Sequence, residues 1–393
     1  MDYRDFGSSL FAGAGEAAAS LLDTVTNAIA GEADALRDGT EFDSVVLPRD
    51  LAAHRDVQTE WWYYTGHLVT ASGRSFGFEL VFFKRRTDLD RFSVVPLRLL
   101  GNPYYFAHFA LTDKDQGKFM YAHRKSANGS LDLPASASES HFYLMLGDWS
   151  AREAAGDHFL RASIDHNLIF EASLRPVKPT VLIGDGGVSY KDHEQASRYF
   201  AFPRMAIEGD LVIDGRAEHF KGTAWMDREF GTWEPTEKQK GWDWFSIQLD
   251  DEIEIMVYQI RDSAGEPTEF SRGYVCRSDG SVVHLPHEGF ELTVLDRWKS
   301  PRSNAEYPSG WKLAVPELAI DLNIVPVAQD QELDTRGTTM ILYWEGACRV
   351  TGNSQGDRVS GDAYVELVGY DRSHESPDLS RFLLGNFLNG LRY

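Results

Sequence analysis

Short runs of apolar residues, each long enough for one β-strand, alternate with polar turns through most of the chain. The runs FGFELVFF at Phe76–Phe83, EIEIMVYQI at Glu252–Ile260 and AYVELVGY at Ala363–Tyr370 are rich in β-branched and aromatic residues, which favour strands. Turn-forming sequences such as ASGR at Ala71–Arg74 and RSDGS at Arg277–Ser281 have the composition of hairpin loops. Many short strands at hairpin spacing predict an all-β protein made of sandwiches or barrels.

The N-terminal segment has a different pattern. From about Ser8 to Ala35 alanine is abundant, and Leu22, Val25 and Ile29 recur at spacings of three and four residues. This periodicity predicts a helix. We expect an N-terminal helical arm that packs against its own barrel, with a weak contact to a membrane surface as the alternative.

Two stretches of the chain have the same order of predicted elements. WWYYTGHLVTASGRSFGFELVFFKRR in the first half and GWDWFSIQLDDEIEIMVYQIRD in the second each have an aromatic strand, a polar turn, a second strand and a basic end. Two copies of one β-domain would explain this similarity, and chance resemblance of two hairpins is the alternative. The predicted organisation is a helical arm at 1–42, a first β-domain at 43–200, a second at 201–373 and a tail at 374–393.

The composition limits the partners and the compartment. The 393 residues carry a net charge of −21, so the protein repels phosphate backbones, and nucleic acid is excluded as the expected partner. Two cysteines, Cys276 and Cys348, are too few for a disulfide framework. One bridge between them stays open, but a reduced cytoplasmic protein is the simpler expectation, since the N-terminus lacks the features of a secretory signal.

The sequence lacks the usual signatures of metals and cofactors. HLPH at His284–His287 is the one close histidine pair, and its proline and turn-like surroundings do not suit a metal-binding helix. GAGEAA at Gly13–Ala18 has the first spacing of a dinucleotide fingerprint but follows no strand. No phosphate-binding GxxxxGK[ST] occurs. The sequence therefore predicts neither a metal nor a cofactor.

Aromatic clusters with embedded ionisable groups are the remaining chemical candidates. They are EWWYYTGH from Glu60, YFAHFALTD from Tyr105, AWMDREFGTW from Ala224 and GWDWFSIQ from Gly241. Because alternate residues of a strand share a face, Glu60, Trp62 and Tyr64 should lie on one face, and Trp61, Tyr63 and His67 on the other.

A barrel face made of rings and a few polar groups suits an apolar ligand. Rings can also stabilise a passing carbocation, and a carboxyl desolvated among them can stay protonated and act as an acid. The candidate carboxyls are Asp227, Glu229, Glu60 and Asp243. The alternative is that they pair with Arg228, Arg261 or Arg204 and tie strands together.

A set of motifs spread in order from about His54 to Tyr370 resembles one family. EWWYYTGHL, YYFAHFALTD, RYFAFPRM, GTAWMDREFG, GWDWFSIQL and YWEGACRVTG with AYVELVGY are similar to the carotenoid 1,2-hydratase (hydroxyneurosporene synthase) superfamily. That superfamily also includes attachment-protein relatives and fungal Diels–Alderases. The resemblance implies two tandem lipocalin-like (calycin) β-barrel domains with an apolar pocket near their junction.

The resemblance carries over to the site only in part. Where the hydratase branch has Asp-His-Asn-Trp-Gly, this chain has Asp227–Gly231 with the sequence DREFG, so Arg228 replaces the histidine. Asp227 and Tyr258 match, but the aspartate expected near the tyrosine is absent from YQIR. The chain is closer to the attachment-protein-like branch.

The first functional hypothesis is a cofactor-independent enzyme that hydrates, cyclises or isomerises a polyene or isoprenoid-like substrate with acid assistance. Asp227 or Glu229 would donate the proton, Arg228 would hold that carboxyl or a polar end of the substrate, and Tyr258 completes the catalytic set. The predicted substrate-binding residues are Glu60, Trp62, Tyr64, His67, His108, Trp225, Trp242, Trp244 and Gln248. A Diels–Alderase-type cavity that works by positioning, and a non-catalytic lipid or pigment carrier, are the alternatives. The oligomeric state stays open.

Overall fold

Strands make up nearly all the regular structure of the protein. The computed structural model describes residues 44–371 except 89, 93–94, 97–100, 128–131, 166, 234–238 and 340. In these residues the helical segments are three single 3-10 turns, at Arg49–Leu51, His287–Gly289 and Pro316–Leu318. The all-β prediction is confirmed, whereas the helical arm at 1–42, its membrane contact and the tail at 374–393 lie outside the described residues.

The first half of the chain forms a thirteen-stranded antiparallel sheet that curls into a barrel. Its opposite ends meet, because the ring of Phe109 lies 6.1 Å from that of Trp149 and the Arg124 guanidinium lies 4.4 Å over the same indole. The strands of this half, including the separate pair β3–β4, are β1 Thr59–Thr70, β2 Ser75–Arg85, β3 Arg91–Phe92, β4 Val95–Pro96, β5 Tyr104–Asp113, β6 Lys118–Ser126, β7 Ala135–Ala137, β8 Tyr143–Leu146, β9 Trp149–Ala154, β10 Asp157–Ile164, β11 Leu168–Pro176, β12 Val181–Leu182, β13 Val188–Tyr190, β14 Ala196–Ile213 and β15 Arg216–Gly231.

The second half forms a ten-stranded sheet with the same kind of closure. Trp311 contacts Phe245 at 5.3 Å and Trp344 at 6.3 Å between ring centroids, so distant strands share one core. The strands of this half, including the separate pair β21–β22, are β16 Gln239–Leu249, β17 Glu254–Asp262, β18 Arg272–Cys276, β19 Val282–Leu285, β20 Glu291–Val294, β21 Arg297–Lys299, β22 Glu306–Pro308, β23 Trp311–Val315, β24 Ile320–Pro326, β25 Glu332–Asp334, β26 Leu342–Ser354 and β27 Asp357–Val368.

The change from one sheet to the other lies later than predicted. The expected boundary between residues 200 and 201 falls inside β14, which pairs with β11 and β15 of the first sheet. The first sheet ends at Gly231 and the second begins at Gln239. A strand cannot be divided without losing its ladder of hydrogen bonds, so the predicted limit at 200/201 is wrong.

The two barrels pack through the outer faces of strands that include their central hairpins, β1–β2 and β16–β17, together with β14, β26 and β27. These hairpins are the two similar stretches of the sequence. Tyr63 meets Trp244 edge-on at 5.2 Å between ring centroids. The sheets approach so closely at Gly77 that a Cβ there would lie 2.4 Å from the Cβ of Ala347. Only glycine fits such an approach.

Two further observations concern the cysteines and the membrane. Cys276 and Cys348 are both buried free thiols. In the part of the chain that the structure describes, no helix has the length and hydropathy needed to cross a membrane.

Candidate active site

Strand β1 sends its side chains into two environments, in agreement with the predicted alternation. Trp62 and Tyr64 are fully buried in the core of the first barrel. Tyr63, on the other face, packs between the barrels. The face formed by Glu60, Trp62 and Tyr64, which was predicted to bind substrate, therefore points into the first barrel, whereas His67 lies on the junction side.

Arg228 also points into the first barrel, away from Asp227 and Glu229. Its Nη2 lies 2.5 Å from Oε2 of Glu60. Burial tends to raise the pKa of Glu60, but the charges of Lys84 and Arg228 outweigh burial and hold that pKa well below its usual range. Neighbouring residues of a strand point to opposite faces, so the prediction that Arg228 holds the carboxyl of Asp227 or Glu229 is wrong.

The buried carboxyl of Asp243 is also held in an ion pair with an arginine. Its Oδ1 lies 3.1 Å from Nε of Arg261, and the hydroxyl of Tyr370 donates to it as well. For Glu60 and Asp243 the alternative weighed from the sequence, that these carboxylates pair with arginines and tie strands together, is correct.

A largely aromatic and aliphatic group of side chains fills the space between the two sheets, and we call it the junction cluster. Its buried members are Tyr63, Val81, Val181, Ile183, Tyr199, Ala201, Trp225, Trp244, Met256, Tyr258, Ile260, Tyr274 and Cys276. Three of the residues predicted from the sequence, Trp225, Trp244 and Tyr258, meet here.

Asp227 is a carboxyl embedded in the junction cluster and is only 2% exposed. The Nε1 of Trp225 donates to its Oδ1 at 2.7 Å, and the hydroxyl of Tyr199 donates to its Oδ2. Nε1 of Trp244 donates in turn to the Tyr199 hydroxyl at 3.1 Å. Desolvation outweighs these hydrogen bonds and raises the pKa of Asp227 to about 7, so the group can give up a proton near neutral pH.

Glu229 is placed differently, although it lies on the same face of β15. Its carboxylate pairs with Nζ of Lys191 and accepts a hydrogen bond from the Ser197 hydroxyl. The Lys191 ammonium also lies 5.5 Å from the ring centroid of Tyr258. Lys191 and Ser197 already occupy the Glu229 carboxylate, whereas the donors to Asp227 are the neutral Trp225 and Tyr199, so of the two predicted acids the geometry favours Asp227.

The remaining predicted residues of the second barrel lie either at the junction or at its edge. The Tyr258 hydroxyl lies 3.0 Å from that of Ser189, across the junction. The amide of Gln248 donates to the carbonyls of Pro203 and Ala224, at 2.8 and 3.0 Å, and links the sheets. Trp242 lies at the edge, 37% exposed.

The two predicted histidines lie elsewhere on the junction face. Nδ1 of His108 is 2.5 Å from the hydroxyl of Tyr343, and burial lowers the pKa of His108 well below its usual value. His67 is 3.7 Å from Asp362, and burial lowers its pKa to about 4. Both imidazoles are therefore neutral at physiological pH, and neither contacts Asp227.

Two buried glutamates, Glu79 and Glu345, and the partly buried Glu366 form a second polar group that was not among the predicted site residues. Glu345 and Glu366 are register partners on β26 and β27, and the Tyr63 hydroxyl donates to Glu345 at 2.8 Å. Both carboxylate oxygens of Glu79 are buried without a hydrogen-bond partner. Desolvation and the neighbouring carboxyls raise the pKa values of Glu79 and Glu345 well above the usual range, and desolvation raises that of Glu366 to about 7.

Replacement of Glu79 by glutamine should stabilise the protein at alkaline pH. The folded wild type holds a proton at Glu79 that the unfolded chain releases near its usual pKa, so the free energy of unfolding falls as the pH rises toward the raised value. An amide has no charge to bury, and we expect Glu79→Gln to gain roughly 1–3 kcal/mol at pH 9 and little at pH 4. Urea unfolding at both pH values measures the difference.

The exposed strand residue Glu291 provides the control for that comparison. Glu291→Gln should change the free energy of unfolding by less than about 0.5 kcal/mol at either pH. Equal effects of the two substitutions at pH 9 would show that Glu79 is not an uncompensated buried acid.

An open cleft of about 580 Å³ adjoins the junction cluster. The cleft residues belong to a segment that includes β12 and to β18–β19 of the second sheet, and Val181, Ile183 and Val282 belong to both cleft and cluster. Val181 pairs with Ala201, which pairs with Asp227. Two strand spacings, roughly 10 Å, therefore separate the wall of the cleft from the carboxyl.

The sequence contained a signal for the glutamates that were missed. Glu79 and Glu366 are single carboxyls inside the apolar strands FGFELVFF and AYVELVGY, and Glu345 follows two aromatic residues in YWEGACRV. Acidic residues are almost never fully buried without a partner, so a single carboxyl inside an apolar strand indicates a candidate functional residue. Tyr199, which donates to Asp227, lay in RYFAFPRM and was quoted only as part of a motif.

Comparisons with known proteins agree with this architecture. A crystal structure described as AttH, from Nitrosomonas europaea, superposes with a TM-score of 0.75 at 29% identity and covers 85% of this chain and 100% of its own. Kievitone hydratase from Nectria haematococca superposes with a TM-score of 0.64 at 17% identity, over 86% of this chain and 97% of its own. No curated protein matches.

The family itself is shown by the sequence profile. The profile described as AttH-like matches residues 39–370, which include both barrels and every candidate residue named above. The chain belongs to the AttH-like family.

Proposed function

We propose that the protein is a hydratase-type enzyme that uses Asp227 as a general acid on an apolar, unsaturated substrate held between the two barrels. The observation that carries this proposal is the Asp227 carboxyl, which is buried among rings, held by Tyr199 and Trp225, and has a pKa raised to about 7. A general acid is most effective when its pKa lies near the working pH.

The proposed reaction needs no cofactor. The O–H bond of protonated Asp227 breaks, and its proton forms a C–H bond at one carbon of the substrate double bond. The cation left at the other carbon lies among aromatic rings, including Trp225, Trp244 and Tyr274, whose faces attract positive charge. Water adds to that carbon, and its surplus proton returns to the Asp227 carboxylate.

The similarity to known proteins supports the reaction class. One structural neighbour is named for a hydratase activity, although at its low identity it establishes the fold alone. The predicted carotenoid or isoprenoid character of the substrate rests on the motif resemblance and on the apolar junction cluster.

Incubation in isotopically labelled water tests the proposal. The protein would be incubated with an apolar extract of its native host in water carrying both ¹⁸O and deuterium, and the products analysed by mass spectrometry. Hydration predicts one ¹⁸O and one carbon-bound deuterium in the product. Heat-denatured protein with the same extract is the control.

The other outcomes identify the alternatives. Deuterium without ¹⁸O would indicate acid-assisted isomerisation or cyclisation, and a changed skeleton without label would indicate a positioning cavity of the Diels–Alderase type. A compound that binds and is recovered unchanged would indicate a carrier. Each of these results would contradict hydration.

A further inference from the structure

Arg272 is the one lysine or arginine among the residues that line the 580 Å³ cleft. It is half-buried on β18, and its Nε is buried without a hydrogen-bond partner. Among the described residues, no carboxylate lies within ion-pair distance of its guanidinium. A buried donor on a cation is costly to leave unpaired, so a ligand of the cleft gains by supplying an acceptor.

The rest of the cleft is mainly apolar. Val181, Leu182, Ile183, Val282 and Leu285 form its walls, and its volume lies in the range that suits a small-molecule ligand. An apolar surface beside one unpaired guanidinium matches a molecule with a long apolar body and one anionic group.

The charge of the site favours a single negative charge on that ligand. Asp185 lies at the exposed rim of the same cleft, and the whole chain carries −21. This surrounding charge repels a polyanion such as a diphosphate. A carboxylate can accept two parallel N–H bonds from one guanidinium.

The strand register connects Arg272 to the candidate acid. Arg272 pairs with Tyr258, and Tyr258 pairs with Trp244. Trp244 donates to the Tyr199 hydroxyl, which donates to Asp227. Arg272 therefore lies about two strand spacings, roughly 10 Å, from Trp244, and Asp227 lies beyond Trp244 on the other side of the junction.

We propose that the cleft binds an amphipathic monocarboxylic acid, with the carboxylate on Arg272 and the apolar chain directed along the junction toward Asp227. The substrate's double bond would lie at least roughly 10 Å from its carboxylate, because two strand spacings already separate Arg272 from Trp244. The direction of the chain rests on the proposed function, whereas the carboxylate site is independent of it.

Binding measurements with a matched pair of probes test the site without reference to turnover. Palmitoleic acid and palmitoleyl alcohol, which differ only in the head group, would be titrated into the full-length protein at pH 8 below their aggregation concentrations. We expect the acid to bind about tenfold more tightly than the alcohol, because a hydrogen bond to a charged group forms only with the acid.

Variants of two arginines on the same hairpin separate the specific contact from general charge. Arg272→Gln should remove the preference for the acid, and Arg272→Lys should retain part of it. Arg277→Gln, which also removes one charge but lies outside the cleft lining, should leave the preference unchanged. Thermal unfolding of each variant, and its affinity for the alcohol, show whether the fold and the apolar walls are intact.

Several outcomes would overturn the carboxylate site. They are failure of the wild type to bind either probe, equal affinity for acid and alcohol, an unchanged preference in Arg272→Gln, or tighter binding of farnesyl diphosphate than of the acid. Hydration of a carboxylate-bearing substrate by Arg272→Gln at the wild-type rate would contradict the site as part of catalysis but leave the proposed reaction intact. Acid binding that depends on Arg272, without any turnover, would leave the carboxylate site intact but contradict the proposed reaction.

Discussion

The Asp227→Asn variant should hydrate its substrate about 10²- to 10⁴-fold more slowly than the wild type, the usual contribution of a positioned general acid. Asparagine has the same shape and can still accept the 2.7 Å hydrogen bond from Nε1 of Trp225, but it has no proton to donate. Single-turnover kinetics with the substrate identified in labelled water measure the effect.

The pH dependence of the wild-type rate gives a second readout of the same residue. The protonated carboxyl is the active form, so the rate should be highest below the raised pKa and fall as the pH rises through about 7. A rate that stays constant from pH 5 to 9 would contradict the assignment of Asp227.

Glu229→Gln is the matched control, because Glu229 lies two residues away on the same face of β15. Its carboxylate is held by Lys191 and Ser197, so its loss should leave the rate within about tenfold of the wild type. If Glu229→Gln lost activity and Asp227→Asn kept it, the roles of the two carboxyls would be exchanged.

The stability of Asp227→Asn should distinguish a catalytic loss from misfolding. The pKa of Asp227 is raised on folding, so wild-type stability falls as the pH rises from the ordinary carboxyl range to about 7. The asparagine variant cannot ionise at this position, so it does not lose stability in this way as the pH rises. At pH 8 it should be at least as stable as the wild type, which thermal unfolding measures.

Replacement of Arg228 by methionine should have the second large effect and lower the free energy of unfolding by roughly 3–5 kcal/mol. Arg228 is fully buried, pairs with Glu60 at 2.5 Å and donates to the Ala52 carbonyl at 2.8 Å. Methionine fills the space but leaves the Glu60 charge without one of its two cationic partners. Urea unfolding of the purified variant measures the loss.

A triple variant tests the physical reason. With Glu60→Gln and Lys84→Met added to Arg228→Met, much of the lost stability should return, since none of the three paired charges then remains to be compensated. Arg175→Met provides the control, because Arg175 is 72% exposed in its pair with Asp157 and should contribute less than about 1 kcal/mol. Equal losses of unfolding free energy in Arg175→Met and Arg228→Met would contradict the view that Arg228 stabilises the fold by compensating the buried charge of Glu60.

The position of Arg228 also shows why the candidate site was only partly predictable. Arg228 stands next to Asp227 and Glu229 in the sequence, and spacing alone suggested one catalytic group. In the barrel, Arg228 faces Glu60 inside the first domain, while Asp227 faces the second domain. In a two-barrel protein both faces of a central strand are buried, so hydrophobicity does not reveal which face meets the other domain.

Separation along the chain hid other parts of the site. Glu79 lies on the second strand, whereas Glu345 and Glu366 lie on the last two. Arg272 and Val181 likewise come from different barrels and meet only at the cleft. No local pattern predicts contacts between such distant residues, because they depend on how the two closed sheets dock.

The sequence by itself determined the all-β class and the alternation that gives Glu60, Trp62 and Tyr64 one face and Tyr63 and His67 the other, while the two-barrel architecture was implied by the motif resemblance. The all-β class and the alternation follow from period-two patterns and turn residues, which act over a few residues of chain. Only the tertiary structure decided where the first sheet ends, which carboxyls are ion-paired and that Asp227 lies desolvated between the barrels. Those properties depend on burial and on partners from other strands, which arise only when the two sheets close and pack together.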